Sequence, residues 1–176
     1  MGWLLLVVRL PAEPSRHRVA VWRELRRAGA LSLGQGVWAV PKVEVFTQAL
    51  DRAVQLAERG EGEAIVLEAT GRAEVDTARL EALFTEAREA EWAEFLADCA
   101  KYEAELDKEL AMAKFTLAEL EEEEQSLKRL RRWHRDLRAR DLFGAPSATL
   151  AEQRLKQCAE RLEDYTDRVF HHLHQA

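Results

Sequence analysis

WLLLVVRLPAEPSRHRVAVWRELRRAGALSLGQGVWAV, residues Trp3 to Val40, changes its periodicity twice, and those changes decide the fold. Trp3 to Val8 is an unbroken apolar run of strand length, closed by Pro11 and Pro14, and reads as a buried central strand. Ser15 is placed to cap a helix in which Val19, Trp22 and Leu25 recur at helical spacing, and Gly29 supplies its stop. A second β-rich piece, Leu31 to Val40, carries Gly34-Gln35-Gly36 in its middle and is closed by Pro41. The two glycines predict either two short strands or one bent strand.

Beyond Pro41 the helical period returns, with Val45, Phe46, Leu50, Ala53, Val54 and Ala57 at three- and four-residue steps before Gly60. Ala64 to Leu67 then form a further short apolar run that Thr70-Gly71 ends. The order β-α-β(β)-α-β, with right-handed crossovers and one covered sheet face, predicts an α+β class: a ferredoxin-like βαβ(β)αβ sandwich over residues 1–73. Residues 74–176 differ in kind and predict a helical extension or bundle of three long helices. From Asp76 to Met112 no Gly or Pro interrupts a stripe that includes Phe84, Trp92, Phe95, Cys99, Tyr102 and Leu106. Thr116 with Glu119 makes a capping box that restarts a helix, preceded by Phe115 in the staple position; its stripe runs Leu117, Leu120, Leu127, Leu130, His134 and Leu137. Thr149 with Glu152 offers a third cap, and Leu150, Leu155, Ala159, Leu162, Val169, Phe170 and Leu173 give the last buried face. Stripes this long have to cover one another or a second copy, which makes a homodimer an expectation.

At 176 residues and 47% hydrophobic content the chain can build a core, and its length suits one small domain with a substantial extension. No apolar stretch approaches the roughly 18 to 20 residues a bilayer span requires, and Trp3 to Val8 is too short and lacks the basic leader of a secretion signal. A cytoplasmic protein without a membrane partner is expected. Cys99 and Cys158 stand among helix-core residues with no CxxC pair, so buried thiols are expected rather than a disulfide frame or a zinc site.

The net charge is −6, unevenly spread: residues 1–75 hold 10 Lys and Arg against 9 Asp and Glu, and the rest hold 16 against 23. Any grip on nucleic acid must therefore be local. Its candidate place is the first helix, where Arg16, Arg23 and Arg27 neighbour one another on the wheel, Arg18 and Arg26 flank them, and Val19, Trp22 and Leu25 are assigned to the opposite, packed arc. Such a face suits a solvated amphipathic helix, and equally the phosphates of DNA or another oxyanion, because guanidinium presents planar donors. A weaker second basic patch is Arg131, Arg132, Arg135 and Arg138, on a helix opened by Glu121 to Glu124; that polarity also serves the helix dipole. His171, His172 and His174 end the last helix, where the dipole favours them, with no acid or Cys placed beside them as a further ligand.

There is no Walker loop, GxGxxG, HExxH or GxSxG, and Gly34-Gln35-Gly36 alone does not make a phosphate loop. No catalytic residue, metal ligand or cofactor is predicted, and the chain reads as a binding protein rather than an enzyme.

Trp3-Leu4-Leu5-Leu6, Leu10-Pro11, Arg18 to Arg23, Gly29-Ala30 and Val37-Trp38-Ala39-Val40-Pro41 resemble the opening of the N-terminal domain of the chromate resistance protein ChrB. Arg88-Glu89-Ala90-Glu91-Trp92 and Arg140-Asp141-Leu142-Phe143 resemble its helical part, in the same order. The resemblance implies a chromate-responsive regulator of an export operon, with DNA or chromate as ligand. In that family a C-terminal domain usually follows, so a separate partner carrying such a domain is a further expectation. The β-α-β opening is also similar to PaaX-type repressors and to small CRISPR-associated nucleases. The nucleases hold a metal with a carboxylate at the end of the first strand, where this chain has Val8-Arg9-Leu10, and a cation cannot replace that ligand. The alternative to a regulator is a non-catalytic interaction or dimerisation module that binds no ligand.

Overall fold

A computed structural model of the protein describes residues 1–175. The elements run β1 (Trp3–Arg9), α1 (Ser15–Ala28), β2 (Leu31–Gly34), β3 (Val37–Pro41), α2 (Glu44–Arg59), β4 (Glu63–Ala69), α3 (Glu74–Ala111), α4 (Leu117–Arg140) and α5 (Ala148–Gln175). The chain divides into two compact units, residues 1–87 and 88–176, so the division falls inside α3, some way past its start at Glu74.

The first unit is the ferredoxin-like sandwich. Its sheet has the order β2-β3-β1-β4 with every neighbour antiparallel, and β1 pairs with both β3 (Leu5 with Ala39) and β4 (Leu5 with Leu67). The apolar run at Trp3 is thus the inner strand its composition requires. The glycine tripeptide resolves into two strands joined at Gln35-Gly36, with a register shift between Ser32 and Gly34. Gly36 is needed there: its φ is 73°, a Cβ would lie 2.5 Å from the Val8 carbonyl oxygen, and its own carbonyl accepts from the Val8 N–H at 2.8 Å. Trp3, Phe46 and Phe84 close the core of this unit edge to face, with ring centroids 5.8 and 5.7 Å apart.

Two local expectations in this unit are corrected. Ser15 is the first residue of α1 rather than its cap; Pro14 occupies the cap position and no side chain caps the helix. On α1 the packed residues are Val21, Glu24 and Leu25, whereas Val19 and Trp22 are exposed. The reason is visible on the wheel. Arginines flank the Val19–Trp22 line on both sides, and the arc without a cation is that of Ala20, Val21, Glu24, Leu25 and Ala28. Gly29 ends the helix at φ 80°, its N–H bonded to the Arg26 carbonyl.

In the second unit the later part of α3 packs with α4 and α5 around Trp92, Phe95, Tyr102, Leu106, Leu127, Leu137, Leu162, Tyr165 and Val169. Much of the apolar stripes is therefore spent on one another. Thr116 caps α4, its hydroxyl accepting from the Glu119 N–H at 3.2 Å. The second capping box does not form: α5 starts at Ala148, so Thr149 already lies in its first turn, and Ser147 before it donates its N–H and its hydroxyl to the Glu89 carboxylate, both at 2.7 Å. The face of α5 is borne out in part. Leu162 and Val169 are buried and Leu155 and Ala159 pack against the core, joined by Ala151, Cys158 and Tyr165, while Leu150, Phe170 and Leu173 are exposed. Cys99 and Cys158 are free, buried thiols. Among the described residues no helix is long and apolar enough to cross a membrane.

Candidate functional site

All five arginines of α1, Arg16, Arg18, Arg23, Arg26 and Arg27, are exposed. Between Arg16 and Arg27 the helix rises about 16 Å, so the guanidiniums form a strip rather than a point. The fold orients the strip through the opposite arc. Val21 and Leu25 enter the core, and Glu24 is buried beside them, accepting from Arg52 of α2 at 2.6 Å and from Arg27 at 3.0 Å. That buried carboxylate ties α1 to α2 and is the only acid on α1, so the outward half of the helix carries cations alone. Arg27 shares its charge with Glu24 yet keeps 77% of its side chain exposed. Arg16, Arg18 and Arg23 make no ion pair with the described residues.

Two further groups belong to this surface and were not legible as site residues. Trp22, 53% exposed, lies within the arginine arc, and the Arg26 guanidinium stands 5.7 Å from its ring centre. Beside it opens a groove of about 540 Å³. Arg9 from the end of β1, Arg18 and Trp22 from α1, the Gln35-Gly36 turn and the buried Trp38 of β3 line it. Arg9 is exposed at the end of β1. Its sequence signal was an arginine ending an otherwise apolar strand.

The second patch is built differently. Arg131, Arg132, Arg135 and Arg138 are exposed on α4 and make no ion pair with the described residues. Arg131, however, lines a concavity shared with Glu124, Glu160 and Glu163 as well as Lys128 and Lys156, so positive charge is not concentrated there. Elsewhere in this unit the titratable groups serve packing. Burial lowers the pKa of the Arg88 guanidinium, against which Glu91 acts as counter-ion at 2.7 Å; Glu91 also accepts from Arg140 at 3.1 Å. Burial likewise lowers His134 and raises the Tyr102 phenol, which donates to the Glu123 carbonyl at 3.3 Å. Glu123 itself is held above the usual carboxylate range by burial and by the charges of Glu105 and Glu109. Of the C-terminal histidines, His174 bonds to the Phe170 carbonyl, His171 to Gln175, and His172 packs on Phe115. No group of three or more His, Cys, Asp or Glu among the described residues is arranged to hold a metal.

Against known proteins, the family described as Protein ChrB, N-terminal, matches residues 18–176, which takes in Arg18, Arg23, Arg26 and Arg27. Protein ChrB of Cupriavidus metallidurans is 30% identical over 123 residues, 70% of this chain and 34% of that protein. The chain spans about a third of the length of that relative.

Proposed function

The chain belongs to the ChrB N-terminal family, and from that membership we propose a chromate-resistance regulatory protein that engages DNA through the outward face of α1. The observation that carries this reading is the strip of Arg16, Arg18, Arg23, Arg26 and Arg27, exposed over about 16 Å of helix with no acid among them. A single tetrahedral dianion meets two guanidiniums at one place and leaves the others idle. A phosphate backbone, with a charge every 1.7 Å of duplex on average, uses a strip along its length. The protein acts by binding, in the cytoplasm, and not as an enzyme.

A second reading is favoured by the groove. Arg9 and Arg18 both line it beside the Gln35-Gly36 turn, which gives a compact oxyanion such as chromate two guanidiniums at one concavity. Fluorescence anisotropy with labelled duplex DNA, with and without chromate, separates the two. DNA binding that weakens in Arg23→Ala with Arg27→Ala supports the first reading. Binding unchanged by those substitutions overturns it, and chromate binding lost in Arg9→Ala alone supports the second.

A further inference from the structure

The outer strand β4 is built unlike the other edge of its sheet. β2 is four residues long, contains a register shift and ends in Gly34, devices that keep a sheet edge from pairing. β4 runs seven residues, Glu63 to Ala69, with no Pro, Gly or Lys, and its register against β1 is unbroken from Trp3–Ala69 to Arg9–Glu63. Among the described residues its outward edge has no strand partner in the sheet. Ile65, Val66 and Leu67 are 58%, 42% and 49% exposed, three consecutive large apolar side chains on an unpaired edge. An edge of this composition is completed by another strand.

We infer that β4 is the dimerisation edge of the protein, pairing antiparallel with β4 of a second copy about a two-fold axis at Val66. The sequence of the strand selects both the occupant and the register. Directly opposed residues in an antiparallel pair point to the same face, so keeping the helices of both copies on one side of a continuous sheet requires a two-fold centred on a residue. Centred on Val66, the strand opposes Val66 to Val66, Ile65 to Leu67, Ala64 to Glu68 and Glu63 to Ala69: apolar meets apolar at the middle, and no carboxylate faces another. Centred on Ile65 it opposes Glu63 to Leu67; centred on Leu67 it opposes Val66 to Glu68. Only the first choice leaves every glutamate against alanine. Glu68 is further neutralised by Lys42 at 2.6 Å, which lowers the repulsion between two acidic strands. Ile65 and Leu67 share their face with Val7 and Leu5, so pairing extends an apolar surface across the axis. In the second unit the core faces of α3, α4 and α5 pack on one another, and the apolar residues left exposed on α5, Leu150, Phe170 and Leu173, do not form a run of three consecutive side chains as β4 does.

The full chain is to be measured by light scattering and sedimentation across the micromolar range, with two variants. Ile65→Lys, at a site already exposed, is expected to weaken the dimer by about 100-fold, tenfold at each of two symmetry-related positions, with unchanged helical circular dichroism. Val66→Cys is expected to give a covalent dimer on mild oxidation that dithiothreitol reverses, whereas the wild type, whose two cysteines are buried, gives none. A wild-type chain that stays monomeric throughout that range overturns the inference. So does a dimer that survives Ile65→Lys and fails to cross-link through Val66→Cys.

Discussion

Arg16→Ala with Arg23→Ala tests whether the α1 strip reads a phosphate backbone, because its consequence is a slope and not merely a loss. Both side chains are exposed and make no ion pair with the described residues, so the fold loses nothing it uses. On α1, Arg16, Arg18, Arg23 and Arg26 have no carboxylate partner among the described residues, whereas Arg27 is shared with Glu24. If those four each neutralise one phosphate, the logarithm of the binding constant falls with the logarithm of salt at a slope of about −3.6 per chain, at roughly 0.9 per contact. Raising salt from about 50 to 200 mM then costs the native protein about 150-fold in affinity and the double variant, with two contacts left, about 12-fold. Anisotropy titrations at four or five salt concentrations give both slopes directly. A double variant that binds more weakly but with the native slope would refute the reasoning, because it would place the lost interaction elsewhere than on phosphates. A native slope near zero would refute it more simply.

Other expectations follow from packing and charge. Phe84→Ala removes the ring that meets both Trp3 and Phe46 and should destabilise the first unit by about 3–5 kcal/mol, read from urea unfolding by tryptophan fluorescence. Glu91→Ala takes the counter-ion from Arg88, which is 3% exposed, and should cost about 3 kcal/mol, with Glu91→Gln recovering part; an effect within error would mean that Arg88 is already solvated. Glu123 has its folded pKa raised above the ordinary value, so its favourable contribution is present at low pH and is lost as pH rises through the folded pKa. Glu123→Gln should therefore raise the melting temperature at pH 7.5, with the gain shrinking as pH falls toward 4.5, the usual glutamate value. A variant no more stable than the native chain at pH 7.5 would show that neither burial nor the charges of Glu105 and Glu109 act on this carboxylate.

The sheet-and-helix order was legible because its signals are local. An apolar hexamer, a period of 3.6 and glycines at Gly29, Gly34, Gly36 and Gly60 each act within a few residues of where they stand. Thr116 capped its helix for the same reason, its partner Glu119 lying one turn away. Failures came where the deciding neighbour is distant in sequence. Ser15 and Thr149 are chemically able caps, but helix starts at Ser15 and Ala148 are set by the chain's approach, through Pro14 in one case and through Ser147 bonding to Glu89 of α3 in the other. Likewise α5 presents Ala151 and Cys158 inward and Leu150 outward, against core neighbours on α3 and α4 that are distant in sequence.

The arginine strip is legible in the sequence as a cluster, but the face of α1 that it occupies follows from charge and not from apolar spacing. Counting apolar residues at three-residue steps assigned Val19, Trp22 and Leu25 to the core; asking instead which arc is free of guanidinium selects Val21, Leu25 and Ala28. The second question is the stronger one. Exposing a valine or a tryptophan forgoes a few kcal/mol of burial, whereas burying an unpaired guanidinium costs several more, so charge decides the face when the two conflict. Glu24 is the exception that respects the rule, being buried with Arg52 and Arg27 on its two oxygens. The cost of that arrangement is an exposed tryptophan amid arginines, and a surface on which Arg16, Arg18 and Arg23 make no ion pair with the described residues. The acidity of the whole chain does not oppose this, since exposed charges more than about 10 Å apart are screened at moderate salt. What a polyanion meets first is the local field of α1, where no carboxylate faces outward.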